Sequence, residues 1–215
     1  VPQNLGDAGL GLRIVCLSDT HLRDVAVPPG DVLVHAGDFT MGGSLREIER
    51  FAAWIGALPH RYKIVIAGNH DFGFERHPHE ARDRLDGVTY LEDQGVEVEG
   101  LRIWGSPWQP RFRDWAFNLD RGAPLREKWE RIPPGTDLLV THGPPAGILD
   151  RTVSGQEVGC ADLRDVVFGI RPRLHVFGHI HEGFGVLERD GTTFANASIC
   201  TVGYEPRNPC LVFDL

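Results

Sequence analysis

The chain has 215 residues, 41% hydrophobic and 24% charged, with a formal net charge of −8 at pH 7. This composition suits a globular chain with one well-filled core, read as a single catalytic domain over residues 1–215. The negative balance disfavours tight, non-specific binding to long nucleic acid, and no apolar stretch approaches the roughly 18 residues of a membrane span.

The start, Val1-Pro2-Gln3-Asn4-Leu5-Gly6, shows neither the cationic flank nor the apolar core of a signal peptide. Leu12–Leu17 is a run of β-branched and aliphatic residues that leads into Asp19-Thr20-His21. Val32–Ala36, with His35 inside it, leads into Gly37-Asp38. Ser44-Leu45-Arg46-Glu47 is a capping box, and Leu45, Ile48, Phe51, Ala52, Ile55 and Leu58 follow at helical spacing up to Pro59. Lys63–Ala67 leads into Gly68-Asn69-His70-Asp71. Helices are predicted near Pro78–Leu85, Pro124–Ile132 and Ala161–Phe168, with His77 and His79 flanking Pro78 as a solvated helix start.

Val96–Val98 and Leu101–Trp104 surround Glu99-Gly100 as a hairpin. Gly105–Ala123 has no periodicity and reads as a long loop, of the kind that is usually functional or mobile. Leu138–Thr141 leads into His142-Gly143-Pro144-Pro145, and Leu174–Phe177 into Gly178-His179-Ile180-His181. Phe184–Glu188 and Thr192–Ala195 flank Arg189-Asp190-Gly191 as a second hairpin, and Pro209–Phe213 closes the chain as a strand. Cys16, Cys160, Cys200 and Cys210 form no C-x-x-C pair, which fits a reducing, cytoplasmic setting.

Five apolar runs therefore end in potential metal ligands, and side chains just past the C-terminal ends of buried strands meet on one rim of an α/β protein. The spacings Asp19-x-His21 and His179-x-His181 aim two side chains at one point, and Gly37 and Gly68 let the backbone turn sharply before Asp38 and Asn69. Two carboxylates, one amide oxygen and four imidazoles without a thiolate suit Mn, Fe, Zn or Ni better than Ca. Seven donors are too many for one ion and suit two that share a carboxylate. Two divalent ions outweigh two carboxylates and a bridging hydroxide, so the site stays positive and attracts phosphate.

Taken in order, Asp19-Thr20-His21, Gly37-Asp38, Gly68-Asn69-His70-Asp71, Thr141-His142-Gly143 and Gly178-His179-Ile180-His181 resemble the calcineurin-like metallophosphoesterase superfamily. Ser106-Pro107-Trp108-Gln109-Pro110, Trp115-Ala116-Phe117-Asn118, Pro144-Pro145 and Glu182-Gly183 are similar to its small metallophosphoesterase-domain-containing phosphodiesterases. The resemblance implies a four-layer α/β/β/α sandwich of two mixed sheets flanked by helices. It implies a dinuclear metal-dependent phosphodiesterase that uses metal-bound hydroxide on cyclic nucleotides or other small phosphodiesters. The alternatives are a phosphomonoesterase, a nuclease and a low-turnover nucleotide-binding protein.

By the same resemblance, Asp19, His21 and His181 would hold the first ion, Asn69, His142 and His179 the second, and Asp38 would bridge them. Manganese is the first expectation, with Fe, Zn or Ni as alternatives. His70 would face the substrate beside Asn69 as the catalytic group, stabilising the transition state or protonating the leaving oxygen. Its acidic partner is left unassigned, although Asp71 is adjacent. Some relatives have lost a histidine of the last motif; this chain keeps both His179 and His181.

Trp108 and Arg111 are candidate substrate contacts. Phe72, Phe74, Trp115 and Phe117 are further candidates for stacking a base and Arg113 for gripping a phosphate, each weighed against plain packing or solvation. His35 is read as a core or supporting group and Glu182 as structural. The expected partner is a small phosphodiester or nucleotide, with no membrane; the oligomeric state is left open.

Overall fold

The computed structural model describes residues 11–215, so the reading of the first six residues lies outside the described part. Thirteen strands follow in chain order: β1 (Arg13–Leu17), β2 (Val32–His35), β3 (Tyr62–Val65), β4 (Thr89–Tyr90), β5 (Gln94–Val98), β6 (Leu101–Ser106), β7 (Gln109–Pro110), β8 (Asn118–Leu119), β9 (Leu138–Thr141), β10 (Leu174–Phe177), β11 (Gly185–Arg189), β12 (Thr192–Asn196) and β13 (Leu211–Asp214). The helices are α1 (Leu45–Gly56), α2 (Phe72–Arg76), α3 (Pro78–Arg82), α4 (Ala123–Trp129) and α5 (Ala161–Ile170).

Two mixed sheets carry the fold. One has the order β13-β1-β2-β3-β4, the other β11-β12-β10-β9-β6-β5. In the first, β1 to β4 run parallel, so β1, β2 and β3 end on the same rim. In the second, β6, β9, β10 and β12 are mutually parallel and end together. A parallel bridge between Ser18 and Ser198 joins the two sheets at that rim.

Residues in β1 alternate between two cores, as the period of two requires. Ile14 and Cys16 pack with Val32, Val34, Val140 and Val176 between the sheets. Val15 and Leu17 face the other way, onto Ile48, Phe51 and Ile55 of α1 and Phe74 of α2. The second sheet buries Leu139, Phe177 and Phe194 against Leu125 and Trp129 of α4 and Leu163 and Val167 of α5. The order of layers is therefore helix, sheet, sheet, helix, as the motifs imply.

Helix α1 begins where the capping box places it: Ser44 Oγ accepts from Glu47 N (3.3 Å) and Glu47 Oε2 accepts from Ser44 N (2.8 Å). It buries Ile48, Phe51 and Ile55, each worth about 1.5–3 kcal/mol when fully removed from water. The helix predicted over Pro78–Leu85 is shorter, ending at Arg82, and is preceded by a helix the periodicity does not show, α2. His77 separates the two at φ −136°, because a residue before proline is driven out of the helical region.

The segment 105–123 is not a structureless loop. Gln109 N donates to Phe117 O (3.0 Å) and Arg111 N to Leu119 O (2.8 Å), folding it back on itself as the β7–β8 ladder. Ala116 N donates to Asn69 O (3.1 Å), which fastens this finger to the end of β3. All four cysteines are unpaired, three of them buried. Among the described residues no helix is long and apolar enough to cross a membrane.

Candidate metal centre

The seven donors read from the strand ends meet at the rim shared by the two sheets. His21 and His181 turn their Nε2 atoms to within 3.4 Å of each other, and His181 Nε2 lies 3.3 Å from Asp19 Oδ1. On the other side, Asn69 Oδ1 lies 3.0 Å from His142 Nε2 and 2.7 Å from His179 Nδ1. Asp38 stands between the two groups with one oxygen towards each. Its Oδ2 is 3.9 Å from His21 Nε2, and its Oδ1 is 3.5 Å from His142 Nε2. Donors at about 2.1 Å from an ion are separated by about 3.0–3.4 Å; three of these six spacings fall in that range and a fourth, 3.5 Å, lies just beyond it, which suits two coordination shells sharing Asp38.

Hydrogen bonds on the far side of three of the four rings orient the donors. Nδ1–H of His21, His142 and His181 donates to the carbonyl oxygens of Thr40 (3.3 Å), Ala36 (2.9 Å) and Thr201 (2.9 Å). That leaves the Nε2 lone pairs directed inward, as imidazole ligands require. Lone pair then faces lone pair across 3.4 Å, and imidazole nitrogen faces amide oxygen across 3.0 Å. Such contacts are repulsive unless positive charge lies between them. The residues present therefore fit a pair of divalent cations.

Titration behaviour carries the same message. Burial opposes the charge on Asp19, yet His181, His142 and His21 around it hold its carboxyl well below the usual range. Burial likewise opposes the charge on Asp38, and His142, His70 and His21 draw it down. Burial disfavours protonated His142 and His181, but Asp38 and Asp19 respectively push them up to about 9. The cluster captures protons as it would capture a cation.

Backbone strain is concentrated here. Asp19, His21, Asp38 and His179 all have left-handed φ, between 45° and 66°. That conformation costs roughly 1–2 kcal/mol for a residue with a Cβ, and it persists only where the surroundings enforce it. Ser198 Oγ and the His179 amide both donate to Asp19 Oδ2 (2.9 and 3.0 Å), and the His70 amide donates to Asp38 Oδ1 (2.7 Å). Gly37 turns as expected, at φ +97°, but Gly68 is not left-handed. Glycine is required at 68 for room, since a Cβ would lie 2.3 Å from Asp38 Oδ1.

The ring of His70 is held by the carbonyl of Met41 (2.9 Å from Nδ1), not by an acid. Asp71 is occupied elsewhere, accepting from the amides of Asp38 (2.8 Å), Gly68 (2.7 Å) and Thr40 (2.9 Å) and from Thr40 Oγ1 (2.6 Å). Burial and the Asp38 charge raise its carboxyl to about 7. It ties the ends of β2 and β3 into one unit.

Two buried histidines brace the rim from below. Gly37 N donates to His35 Nδ1 (3.3 Å), so His35 Nε2–H donates to Thr20 Oγ1 (2.9 Å), inside the first motif. Thr141 Oγ1 donates to Gly143 O (2.8 Å), so His175 Nε2–H donates to Thr141 Oγ1 (2.8 Å), beside His142. Burial pushes both rings down to about 3. Each sheet thus supplies one neutral histidine that pins a threonine next to a cluster donor.

The cluster opens into a cavity of about 220 Å³, walled by His70, Phe112, Arg113, Trp115, Glu182 and Tyr204. Trp115 lies against His70, with centroids 4.2 Å apart. Trp108 and Arg111, the expected substrate contacts, do not line this cavity. Trp108 Nε1 donates to Asp93 Oδ2 (3.0 Å) under the Lys128 ammonium, and Arg111 pairs with Asp120 (2.7 Å), because the ladder turns both away. Phe74 and Phe117 are core residues. Ser198 and Tyr204 are site residues that the strand-end reading missed. Ser198 lies two residues past β12, in the same position relative to its strand as the acids and histidines that were found.

The chain is similar to several known proteins. Over 230 residues the chain is 48% identical to metallophosphoesterase domain-containing protein 1 of Homo sapiens, covering 94% of this chain and 71% of that protein. It is 40% identical over 218 residues to a UPF0046 protein of Caenorhabditis elegans, covering 94% of this chain and 74% of that one. The structure of a phosphopantetheinyl hydrolase from Mycobacterium tuberculosis shares the fold, with a TM-score of 0.62 and 16% identity over 91% of this chain and 92% of that chain. The model of the calcineurin-like phosphoesterase family matches residues 12–183, a span that runs from the strand before Asp19 to just past His181, and the chain belongs to that family.

Proposed function

We propose that this protein is a dinuclear phosphodiesterase acting on small phosphodiesters, cyclic nucleotides among them, with manganese as the working metal. Metal-dependent phosphoester hydrolysis is the chemistry of its family. The observation that carries the finer reading is the arrangement of two donor groups around Asp38 at the floor of an open cavity. In the proposed assignment Asp19, His21 and His181 hold one ion, Asn69, His142 and His179 the other, and Asp38 bridges. Two ions there supply Lewis acidity towards phosphoryl oxygens and make water acidic enough to attack phosphorus at neutral pH.

The chain's own residues do the rest. Asn69 places its amide at a phosphoryl oxygen. His70, with its Nδ1 fixed on Met41, presents Nε2 to the cavity and protonates the departing ester oxygen. Trp115 flanks His70 and keeps bulk water from that edge of the ring. Outside the cluster, the charged groups lining the cavity are Arg113 and Glu182, which cancel. A neutral surround suits a diester monoanion better than a monoester dianion, which is why the diester is preferred here. The unpaired cysteines fit a cytoplasmic setting.

Asp38→Ala and His142→Ala are each expected to lower turnover of bis(4-nitrophenyl) phosphate with added manganese at least about 100-fold. Undiminished turnover in either variant overturns the proposal. Faster cleavage of 4-nitrophenyl phosphate than of the diester would favour the phosphomonoesterase reading.

A further inference from the structure

Two cavities open beside the metal centre, and the second has no role so far. It measures about 500 Å³ and is lined by His21, Arg23, Asp24, Met41, Arg50 and Tyr204, among others. Among the described residues Tyr204 alone belongs to both linings. Its ring stands edge-on to His21 (4.6 Å between centroids), His181 (5.8 Å) and His70 (6.0 Å). Its backbone is left-handed, at φ 59°, a strained state for an aromatic residue. The turn that enforces it is anchored through Thr201 O, which accepts from Tyr204 N (2.8 Å) and from His181 Nδ1 (2.9 Å). The partition between the cavities is therefore built on the same turn that orients a cluster histidine.

Each cavity reaches a different part of the cluster. Asp38, Asn69, His70, His179 and His181 line the first, whereas His21 is the cluster residue that lines the second. A phosphoryl group seated across the cluster would send one ester arm to each side of Tyr204. The cavities also differ in charge. Outside the cluster the first is neutral, whereas the second has two guanidinium groups and one carboxylate. Arg23 has no ion-pair partner among the described residues. Arg50 meets Asp24 only at 3.8 Å, with both side chains largely exposed (58% and 62%), a pairing of little strength.

We propose that the second cavity is a recognition subsite for the arm of the diester that is not released, and that it selects an arm bearing a further anionic group, a phosphate or a carboxylate. This rests on the phosphodiesterase reading for the words "diester arm", but the subsite can be tested by binding alone. Arginine is suited to such a group because its planar fork donates two parallel hydrogen bonds to one oxyanion.

The test compares two probe sets on the metal-loaded protein. The first is a series of alkylphosphonates with two to six methylenes, ending in a methyl or a carboxylate, measured by calorimetry. The second is 4-nitrophenyl ethyl phosphate against its 2-phosphoethyl counterpart, measured by kcat/KM. At the best length the carboxylate-ended phosphonate is expected to bind at least about fivefold tighter than the methyl-ended one, and the 2-phosphoethyl ester to be preferred by a similar factor. The double variant Arg23→Gln, Arg50→Gln should abolish both preferences and leave turnover of the ethyl ester within about twofold of the parent. The preference should also shrink as salt is raised. Equal binding of the two phosphonate tails, or a preference untouched by the double variant, overturns the subsite. Should neither ester be cleaved while the arginine-dependent tail preference persists, the phosphodiesterase reading fails and the subsite stands. Should both esters be cleaved without preference, the reverse holds.

Discussion

Replacing Gly68 by alanine tests how tightly the bridging position is built. The added Cβ would lie 2.3 Å from Asp38 Oδ1, 2.5 Å from Asp38 N and 2.6 Å from His142 Cε1. Carbon contacts normally sit at about 3.5–4.0 Å, so each approach is roughly 1 Å too close. The neighbours are poorly placed to yield. Asp38 N is bound to Asp71 (2.8 Å) and His142 Nδ1 to the Ala36 carbonyl (2.9 Å). Because Gly68 is not left-handed, the penalty is steric and not a backbone preference. Overpacking of this kind costs about 1–3 kcal/mol of stability, read as a lowered midpoint in urea unfolding. The functional effect should be larger, since the methyl group drives the Asp38 carboxylate out from between His21 and His142. Bound manganese should fall below two per chain, and turnover of bis(4-nitrophenyl) phosphate should fall at least about 100-fold, as a 1 Å misplacement at a reacting centre commonly does. Gly143→Ala is the control: its nearest neighbour would be Gln109 Cβ at 3.7 Å, an ordinary contact. That variant should keep both ions and turnover within about twofold of the parent. A Gly68→Ala protein with full metal content and near-parental turnover would refute the reasoning.

Further predictions concern neighbouring parts of the same rim. His70→Ala should lower kcat by about 10²–10⁴ with metal content unchanged; because His70 also comes within ligand reach of His21 and Asp38, loss of an ion would make it a ligand instead. Chelation should lower the melting temperature and manganese restore it, since ions that bind only the folded chain stabilise it. His175 is buried and neutral, with a folded pKa of about 3 against an unfolded value near 6.5. Its contribution to stability is complete above about pH 6.5 and is lost as pH falls towards 3, at up to about 1.4 kcal/mol per pH unit. His175→Gln, which keeps a donor for Thr141, should flatten that acid limb in urea titrations at pH 4 to 7. Trp108→Phe and Arg111→Ala should leave KM for the diester within about twofold.

The gathering of the candidate donors was legible because each of them follows an apolar run, and parallel strands bring such ends to one rim whatever the loops do. Ser198 obeys the same rule beyond β12, but a hydroxyl does not stand out as an acid or an imidazole does. Tyr204 could not be found that way: its place over the cluster depends on a left-handed turn after an isolated bridge, with no strand leading into it. In the segment 105–123 Trp115 and Arg113 line the cavity while Trp108 and Arg111 do not, and the sequence could not separate them for a related reason. Which side chains face the cavity is set by the pairing of β7 with β8 and by the Ala116–Asn69 hydrogen bond, and neither leaves a periodic trace. His35 was visible as a polar residue inside a strand, but its work on Thr20, like that of His175 on Thr141, depends on neighbours 15 and 34 residues away.

The number of manganese ions held per chain, in the parent and in His142→Ala, tests the two-ion centre most directly. Elemental analysis after equilibrium dialysis should give two ions for the parent and one for the variant, which keeps Asp19, His21, His181 and Asp38 intact. One ion in the parent, or two in the variant, would contradict a centre built as two donor groups around Asp38.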